Sequence, residues 1–360
     1  MTVLGSVRIA DMLLMARARG ASDVHLGGPE RPVMRIDGTI VPMEAPPIEE
    51  ASVHAYLTLL LTPVALAAFE ASGTADASTA GAAHGASGPC RIHAYRHQGG
   101  TRLAIRLLAT RIPPLESLGL PDAVAGFARL GSGLVLFSGP TGSGKSTALA
   151  ALLDRMNRTL ARNIVTIEDP VEYLHVPARS FVTQCQLGRD VANYAEAVRG
   201  VLRADPDVIL VGELRDPETM AAALAAAETG HLVLSTLHTA DAAQTIDRVI
   251  DAFPPDAQAH ARSQLASVLS AVVALRLVPR KAGGRCAAAE ILTGTDAVRS
   301  LVREGKTHQL RNVLMTGRAA GMQTLEAHLS DLTARDEISL ETARAAAARP
   351  AEIRVGTAAP

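Results

Sequence analysis

The part of this 360-residue chain that follows residue 131 predicts an α/β fold built on a parallel sheet. Short apolar runs at residues 134–137, 164–167, 208–211 and 232–234 alternate with helical segments. Each run is continuous rather than alternating, which suits strands that are buried on both faces of a parallel sheet. A glycine-rich turn stands between the first of these runs and a helix. Together these observations predict the α/β fold class.

The first part of the chain, about 110 residues, has the pattern of a smaller α+β domain. Strand-like runs at 33–36 and 102–108 accompany helical stretches at 7–18 and 48–71. Residues 73–88, which read GTADASTAGAAHGASG, are rich in Gly, Ala, Ser and Thr and show no apolar periodicity. This composition predicts a flexible surface loop.

Prolines and glycines mark the boundary between the two parts. Ile112-Pro113-Pro114 and Gly119-Leu120-Pro121 favour a connection, because proline fixes φ and keeps the residue before it out of a helix. From Thr295 onward the pattern is helical, and it ends in a Pro- and Ala-rich tail. The expected divisions are a domain at 1–112, a linker at 113–131, a core at 132–294 and a helical region with its tail at 295–360.

Composition and charge exclude several classes of protein. The chain is 48% hydrophobic and 20% charged, so it is neither disordered nor fibrous. Its 35 basic and 36 acidic residues leave no positive excess to attract a nucleic acid. Cys90, Cys185 and Cys286 lie too far apart for a metal knuckle and are odd in number. Since no membrane span or signal peptide is found, we expect a cytoplasmic protein.

The strongest motif is GPTGSGKS at 139–146, between the apolar run LVLF and the helical run STALAALLDRMN, which is the context of a P-loop. Its glycines allow successive backbone N–H groups and a helix N-terminus to face phosphates. Lys145 should reach the β- and γ-phosphates of ATP, and Ser146 should bind Mg²⁺. The candidate nucleotide-binding residues are Gly139, Pro140, Thr141, Gly142, Ser143, Gly144, Lys145, Ser146 and Thr147.

Two acidic segments supply candidate carboxylates. The run 207–213 ends in Gly-Glu and resembles a Walker B strand, which would place Glu213 beside the metal; an ordinary strand end is the alternative. After a second strand-like run come Glu168, Asp169 and Glu172. Three carboxylates so close together repel one another unless a cation or arginine lies nearby, which favours a metal–nucleotide site over a simple turn.

Two histidines, His231 and His238, bracket the run LVLSTL. Taken alone, they are typical of buried or strand-end histidines, and no third residue at metal-ligand spacing indicates zinc. Ligands bind at the carboxyl ends of strands in parallel α/β sheets. We therefore expect both histidines at the ligand edge, where they could sense the γ-phosphate.

The motifs resemble, in order and along nearly the whole chain, the ATPases of type II secretion and type IV pilus systems, and most closely the pilus-retraction branch, the PilT and PilU type. The matching segments are ASDVHL, RPVMRIDG, GPTGSGKST, TIEDPVEYLH, LRADPDVILVGELRDPET, AAETGHLVLSTLHTADAAQTIDRVID, AVRSLVREGK and GMQTLEAHL. The resemblance implies an N-terminal PAS-like domain, a RecA-like ATPase core, a helical C-terminal region and a homohexameric ring.

The resemblance also implies roles for individual residues. By position, it makes Glu172 the catalytic glutamate, Glu213 the Walker B glutamate, and His231 and His238 the two histidines of a family motif. It implies that Arg91 and Arg106 contact the nucleotide of a neighbouring subunit, although CRIHAY stands here where the family has an RFRVN-like stretch. The chain lacks the four-cysteine zinc module and the longer N-terminus of many assembly and secretion ATPases, which favours the retraction branch.

A helical segment at 297–304, AVRSLVRE, is similar to the retraction motif of the family. Val298, Leu301 and Val302 recur at the spacing of one helix face, and Arg299 and Arg303 share another. A helix simply packed on the core is the alternative. The resemblance implies that the segment couples hydrolysis to pilus work, and we expect both arginines to be exposed.

The expected function is that of a Mg²⁺-dependent hexameric ATPase that retracts a type IV pilus at the cytoplasmic face of the inner membrane. The expected partners are an inner-membrane pilus platform protein and, as a further candidate, a paralogous ATPase, but no nucleic acid. One alternative is a pilus-assembly or secretion ATPase. A second is a RecA-like nucleic-acid translocase, which the neutral charge and the few aromatic residues, four Tyr and five Phe, disfavour. A third is a P-loop regulator that does not hydrolyse ATP.

Overall fold

The structure, a computed structural model, describes residues 8–36, 38–79, 88–109 and 111–354. By its internal contacts the chain divides into two units. The N-terminal unit comprises residues 1–111 and 170–174, and the core unit comprises residues 112–169 and 175–360. Each unit has a hydrophobic core of its own.

In its described residues, the N-terminal unit is an antiparallel sheet with three helices. Its strands are β1 (Asp23–Gly27), β2 (Val33–Ile36), β3 (Thr39–Pro42), β4 (Thr74–Thr79), β5 (Cys90–His97) and β6 (Gly100–Leu107), and its helices are α1 (Ile9–Ala18), α2 (Glu50–Leu60) and α3 (Pro63–Ser72). The strand order is β3-β2-β1-β6-β5-β4. The helical stretch expected at 48–71 is two helices, because Pro63 begins α3 and the Ala65 amide donates to Thr62 Oγ1 at 3.2 Å.

The expectation of a loop at 73–88 is wrong for its first part. Residues 74–79 form the edge strand β4, which pairs with β5 from Thr74 opposite Tyr95 to Thr79 opposite Cys90. Ala75 is buried and Ala77 packs on the core, so the segment does alternate with the period of a strand. Alanine side chains bury little apolar area, and this alternation is therefore a weak signal in the sequence. Residues 80–87 of the expected loop lie outside the described residues.

The core unit contains a seven-stranded sheet in the order β13-β12-β7-β11-β10-β8-β9. Its elements are α4 (Asp122–Gly126), β7 (Gly133–Ser138), α5 (Lys145–Thr159), β8 (Asn163–Glu168), β9 (Phe181–Gln186), α6 (Tyr194–Val201), β10 (Val208–Val211), α7 (Pro217–Glu228), β11 (Leu232–Leu237), α8 (Ala242–Asp251), α9 (Gln258–Val268), β12 (Leu269–Pro279), β13 (Arg285–Thr293), α10 (Asp296–Arg303), α11 (Leu310–Thr316), α12 (Leu325–Ala334) and α13 (Leu340–Ala346). Neighbouring strands run parallel except β12 and β13, which are antiparallel.

The central strands are buried on both faces, as their continuous apolar runs predict. Every residue of β7, β10 and β11 is buried. Leu134 and Leu136 of β7 face the layer of α7, α8 and α9, whereas Val135 and Phe137 face α5 on the other side. Because β7, β8, β10 and β11 are parallel, they all end at one edge of the sheet, which we call the carboxyl edge.

The linker and the C-terminal helices expected from the sequence belong to the core unit by their contacts. His328 of α12 is buried against β13, with 3% of its surface exposed. Its Nδ1 accepts a hydrogen bond from the Ala289 amide of β13 at 2.9 Å. Burial is the main cause that lowers the pKa of His328 to about 4. The imidazole is therefore neutral in the folded protein at neutral pH.

The pKa of His328 predicts an acid-dependent loss of stability. Between its unfolded pKa of 6.5 and its folded pKa of about 4, only the unfolded chain takes up the proton. The contribution of the neutral His328 to the free energy of unfolding is present above pH 6.5. It is lost as pH falls, by about 2 kcal/mol between pH 7.5 and 5.0. Urea unfolding of the wild type, of His328→Gln and of the exposed control His260→Gln at both pH values measures it. An equal pH dependence in all three proteins would contradict the prediction.

Candidate functional site

The P-loop, residues 139–147, joins β7 to α5 at the carboxyl edge, and its geometry requires glycine. Gly139 has a φ of 139°, and a Cβ placed there would lie 2.4 Å from the Leu275 carbonyl oxygen and 2.5 Å from Ser143 Oγ. Gly144, the N-cap of α5, has a φ of 93°. Residues with a side chain rarely adopt these backbone conformations, so the turn requires glycine at both positions.

The polar groups of the P-loop form a cradle for an anion. Lys145 is 8% exposed, and its Nζ donates to the carbonyl oxygens of Gly139 at 2.6 Å and Pro140 at 3.1 Å. In the described part of the chain, the buried Ser143 Oγ has no hydrogen-bond partner. A buried ammonium, an unpartnered hydroxyl and the N-terminus of α5 fit the phosphates of a nucleotide.

Glu213 lies at the same edge, two residues beyond β10. Its Oε2 accepts from Arg215 Nε at 2.8 Å, and its Oε1 lies 3.2 Å from His238 Nε2. The backbone leading to it is held by Thr236 Oγ1, which donates to the Gly212 carbonyl at 2.6 Å. The Glu213 carboxylate therefore lies between the side chains of Arg215 and His238, at the same edge of the sheet as the P-loop.

The acidic turn follows β8, the next strand of the sheet. Glu168 Oε1 accepts from Thr166 Oγ1 at 2.7 Å and from Gln184 Nε2 at 3.1 Å, and Asp169 is exposed. Glu172 is exposed and lies in segment 170–174, which groups with the N-terminal unit. Glu168 is therefore tied to the sheet, whereas the catalytic role of Glu172 stays a prediction.

The two candidate histidines lie at opposite ends of β11. His238 follows the strand at the carboxyl edge, as expected. His231 precedes it, and its Nδ1 lies 3.0 Å from the Ala226 carbonyl oxygen and 3.1 Å from Thr229 Oγ1 at the end of α7. At about 3.3 Å per residue, the two histidines are about 23 Å apart. The expectation that His231 lies at the ligand edge is wrong, because the run between the histidines is one whole strand.

A Mg²⁺ ion would need donors beyond the protein side chains alone. Among the residues described, no group of three or more His, Cys, Asp or Glu side chains could hold a metal ion. Mg²⁺ in nucleotide sites is held by one or two protein oxygens, phosphates and waters. Ser146, which is exposed in the first turn of α5, and Glu213 fit such a set. Since both oxygens of Glu213 are engaged, its contact would run through water.

Sequence reasoning missed two residues of this site, Arg215 and Tyr194. The sequence does indicate Arg215, because a basic residue two positions after Glu213 can fold back and contact its carboxylate. No sequence pattern indicates Tyr194, because it lies more than ten residues before the run 207–213 that carries Glu213. It begins α6 and is 7% exposed. The site therefore contains a buried phenol as well as the expected carboxylates.

The candidate arginines of the N-terminal unit are direct cross-strand neighbours. Arg91 of β5 pairs with Arg106 of β6, and both are exposed, while the adjacent Ile92 and Ile105 are buried. The two arginines therefore share the face opposite the core. Arg106 Nε also lies 3.0 Å from Asp23 Oδ1 on β1.

The two arginines of the segment at 297–304 have different environments. Val298 and Val302 are buried, so the predicted apolar face of α10 is confirmed. Arg303 is exposed, but Arg299 donates to the carbonyl oxygens of Gly294 at 2.9 Å, of Leu269 at 3.1 Å and of Ser267. The expectation that Arg299 is free on the surface is wrong, because its guanidinium fastens α10 to the start of β12.

Comparison with known proteins agrees with this fold. The family model of the type II/IV secretion system protein matches residues 6–357. The chain belongs to this family. It is 42% identical over 344 residues to the type IV pilus retraction ATPase PilT of Pseudomonas aeruginosa, covering 95% of this chain and 98% of PilT. It is 34% identical over 345 residues to the type IV pilus ATPase PilU of the same species, covering 96% and 90%.

A solved structure shows the same architecture. The crystal structure of the pilus retraction motor PilT with bound ADP matches with a TM-score of 0.88 and 38% identity, over 96% of this chain and 99% of that one. This confirms the expected fold class, an α/β RecA-like core with an N-terminal PAS-like α+β domain and a helical C-terminal region. In the described part of the chain, no helix has the length and apolar character needed to cross a membrane.

The P-loop geometry predicts the effect of removing its ammonium. Lys145→Ala should weaken ADP binding at least about tenfold, because a charge-assisted contact to phosphate is lost while α5 is retained. Titration with a fluorescent ADP analogue measures the affinity. Lys281→Ala is the matched control, since Lys281 pairs with Asp336 on the surface. Equal affinities of both variants and the wild type would refute the assignment of the P-loop.

Proposed function

We propose that the protein is a homohexameric ATPase motor that powers retraction of a type IV pilus. The observation that carries the proposal is the convergence of the buried Lys145 and the carboxylates of Glu168 and Glu213 on one edge of the sheet. Similarity to pilus-retraction relatives over nearly the full length of both chains supports the cellular role. The motor would act at the cytoplasmic face of the inner membrane, with the pilus platform protein as its partner.

ATP hydrolysis at this edge is mainly positioning and charge neutralisation. Lys145 would leave the loop carbonyls for the β- and γ-phosphates, and Ser146 with Glu213 would hold the metal. Mg²⁺, when bound, neutralises charge that develops on the phosphates. Glu172 would orient the attacking water as general base. Arg215 and His238 keep Glu213 in place. Because His238 lies at the carboxyl edge and His231 does not, His238 is the histidine suited to sense the γ-phosphate.

The two exposed arginines favour a site that is completed between subunits. Like charges directly opposite each other in a sheet are unfavourable, and Asp23 contacts only Arg106 among this pair. Phosphates of a neighbouring subunit's nucleotide would relieve the repulsion and gain two charge-assisted contacts. This arrangement supports a ring in which Arg91 and Arg106 act in trans.

Helix α10 is suited to transmit motion to a partner. Arg299 fastens it to β12, a strand that neighbours β7 and the P-loop, while Arg303 remains exposed. A nucleotide-dependent shift of the sheet would therefore move an exposed basic group. The platform protein or a paralogous ATPase would meet this surface.

The cellular role predicts a specific deletion phenotype. Cells without the protein should carry many pili that do not retract, because assembly continues while depolymerisation stops. Fluorescent labelling of pili measures their number and retraction. The wild-type gene and Lys281→Ala should restore retraction, and Lys145→Ala should not. Bald cells would instead support an assembly ATPase, and unaltered pili with DNA-stimulated ATP turnover would support a translocase.

The ring predicts complementation between two inactive variants. Arg91→Ala and Lys145→Ala should each lower ATP turnover, by about 10³-fold if the arginine acts as a trans finger. Mixed rings regain activity wherever an intact P-loop faces an intact arginine, and phosphate release measures it. Mixing Arg91→Ala with Arg106→Ala is the control, because no interface then has both arginines. Mixed rings that stay inactive would show that these arginines do not act in trans.

A further inference from the structure

The phenol side chain of Tyr194 lies between the ends of β8 and β10. Its ring packs in the core beside α7, and 7% of the residue is exposed. A Cβ placed on Gly212, the residue before Glu213, would lie 3.0 Å from the Tyr194 hydroxyl and 3.2 Å from the Ile167 carbonyl oxygen. The hydroxyl therefore lies between the strand ends that carry Glu213 and Glu168.

The surroundings of this hydroxyl are negatively charged. Burial raises the pKa of Tyr194 well above its usual value, and the charges of Asp169, Glu213 and Glu168 raise it further against the opposing effect of Arg215. The phenol therefore keeps its proton at every working pH and remains a hydrogen-bond donor.

We propose that Tyr194 is a positioning residue of the metal–nucleotide site, whose hydroxyl donates a hydrogen bond to the water shell between the carboxylates of Asp169 and Glu213. The inference rests on the proposed function, in which this edge binds Mg²⁺ with a nucleotide. Mg²⁺ keeps several of its waters in such sites, so groups that orient those waters contribute to its affinity.

The chemistry of a phenol suits this position. A lysine or arginine in the gap would neutralise the carboxylates and compete with the metal ion. A phenylalanine would leave the waters without a donor. Tyrosine supplies a donor without a positive charge, and so preserves the negative potential that attracts a divalent cation.

Tyr194→Phe removes only the hydroxyl and tests the proposal in the full-length protein. Mn²⁺ serves as the probe for the Mg²⁺ site, and electron paramagnetic resonance of free Mn²⁺ gives its affinity for the ADP-loaded protein. We expect the variant to bind Mn²⁺ about tenfold more weakly than the wild type. Its affinity for ADP in EDTA and its thermal midpoint should stay close to those of the wild type. Tyr56→Phe, which alters a buried tyrosine of the N-terminal unit, is the matched control.

Each other outcome overturns the proposal in a distinguishable way. If Tyr194→Phe binds Mn²⁺ as the wild type does, the proposal fails while the metal site of the proposed function stands. If ADP affinity in EDTA falls as much as Mn²⁺ affinity, the hydroxyl supports the fold and does not orient the metal shell. If the wild type itself binds no Mn²⁺ with ADP, the proposed metal site fails and the role of Tyr194 fails with it.

Discussion

The parallel hydrogen-bonded alignment of β7, β11, β10 and β8 is the constraint on which the candidate site depends. The register sets Ser138 opposite Leu237, and sets Val211 opposite both Ser235 and Ile167. All four strands therefore end at nearly the same level, and the loops that follow them meet at one edge. Ser235 Oγ strengthens this alignment by donating to the Val211 carbonyl at 2.6 Å. A slip of one residue in β7, β10 or β8 would move the P-loop, Glu213 or the acidic turn away from the other parts of the site.

The side chains around the carboxylates determine how these groups can lie close together at the carboxyl edge. Glu213 accepts a hydrogen bond from Arg215 and lies beside His238, whereas Thr166 and Gln184 donate to Glu168. Asp169 extends towards solvent beyond them. Carboxylates and the ammonium of Lys145 therefore lie at the same edge of the sheet, which is the distribution that a cation bound to a polyphosphate requires.

The sequence predicted those parts of the site in which local geometry limits the residue type. Gly139 and Gly144 were predictable because their backbone conformations exclude side chains, and Lys145 and Glu213 because they stand at defined distances from strand ends. His231 was misplaced because it precedes β11 and so lies at the amino end of that strand, whereas His238 follows the strand at the carboxyl edge. The contacts of Arg299 with Ser267 and Leu269, and the position of Tyr194 beside Gly212, join residues far apart in the chain, so no local pattern could indicate them.

The most direct test of the account is a structure of the full chain with Mg²⁺ and a non-hydrolysable ATP analogue. We expect the phosphates to lie along the backbone amides of residues 142–146, with Lys145 Nζ moved from the loop carbonyls to the β- and γ-phosphates. The metal should lie beside Ser146 Oγ and reach Glu213 through water. A nucleotide bound elsewhere, with Lys145 still donating to Gly139 and Pro140, would contradict it.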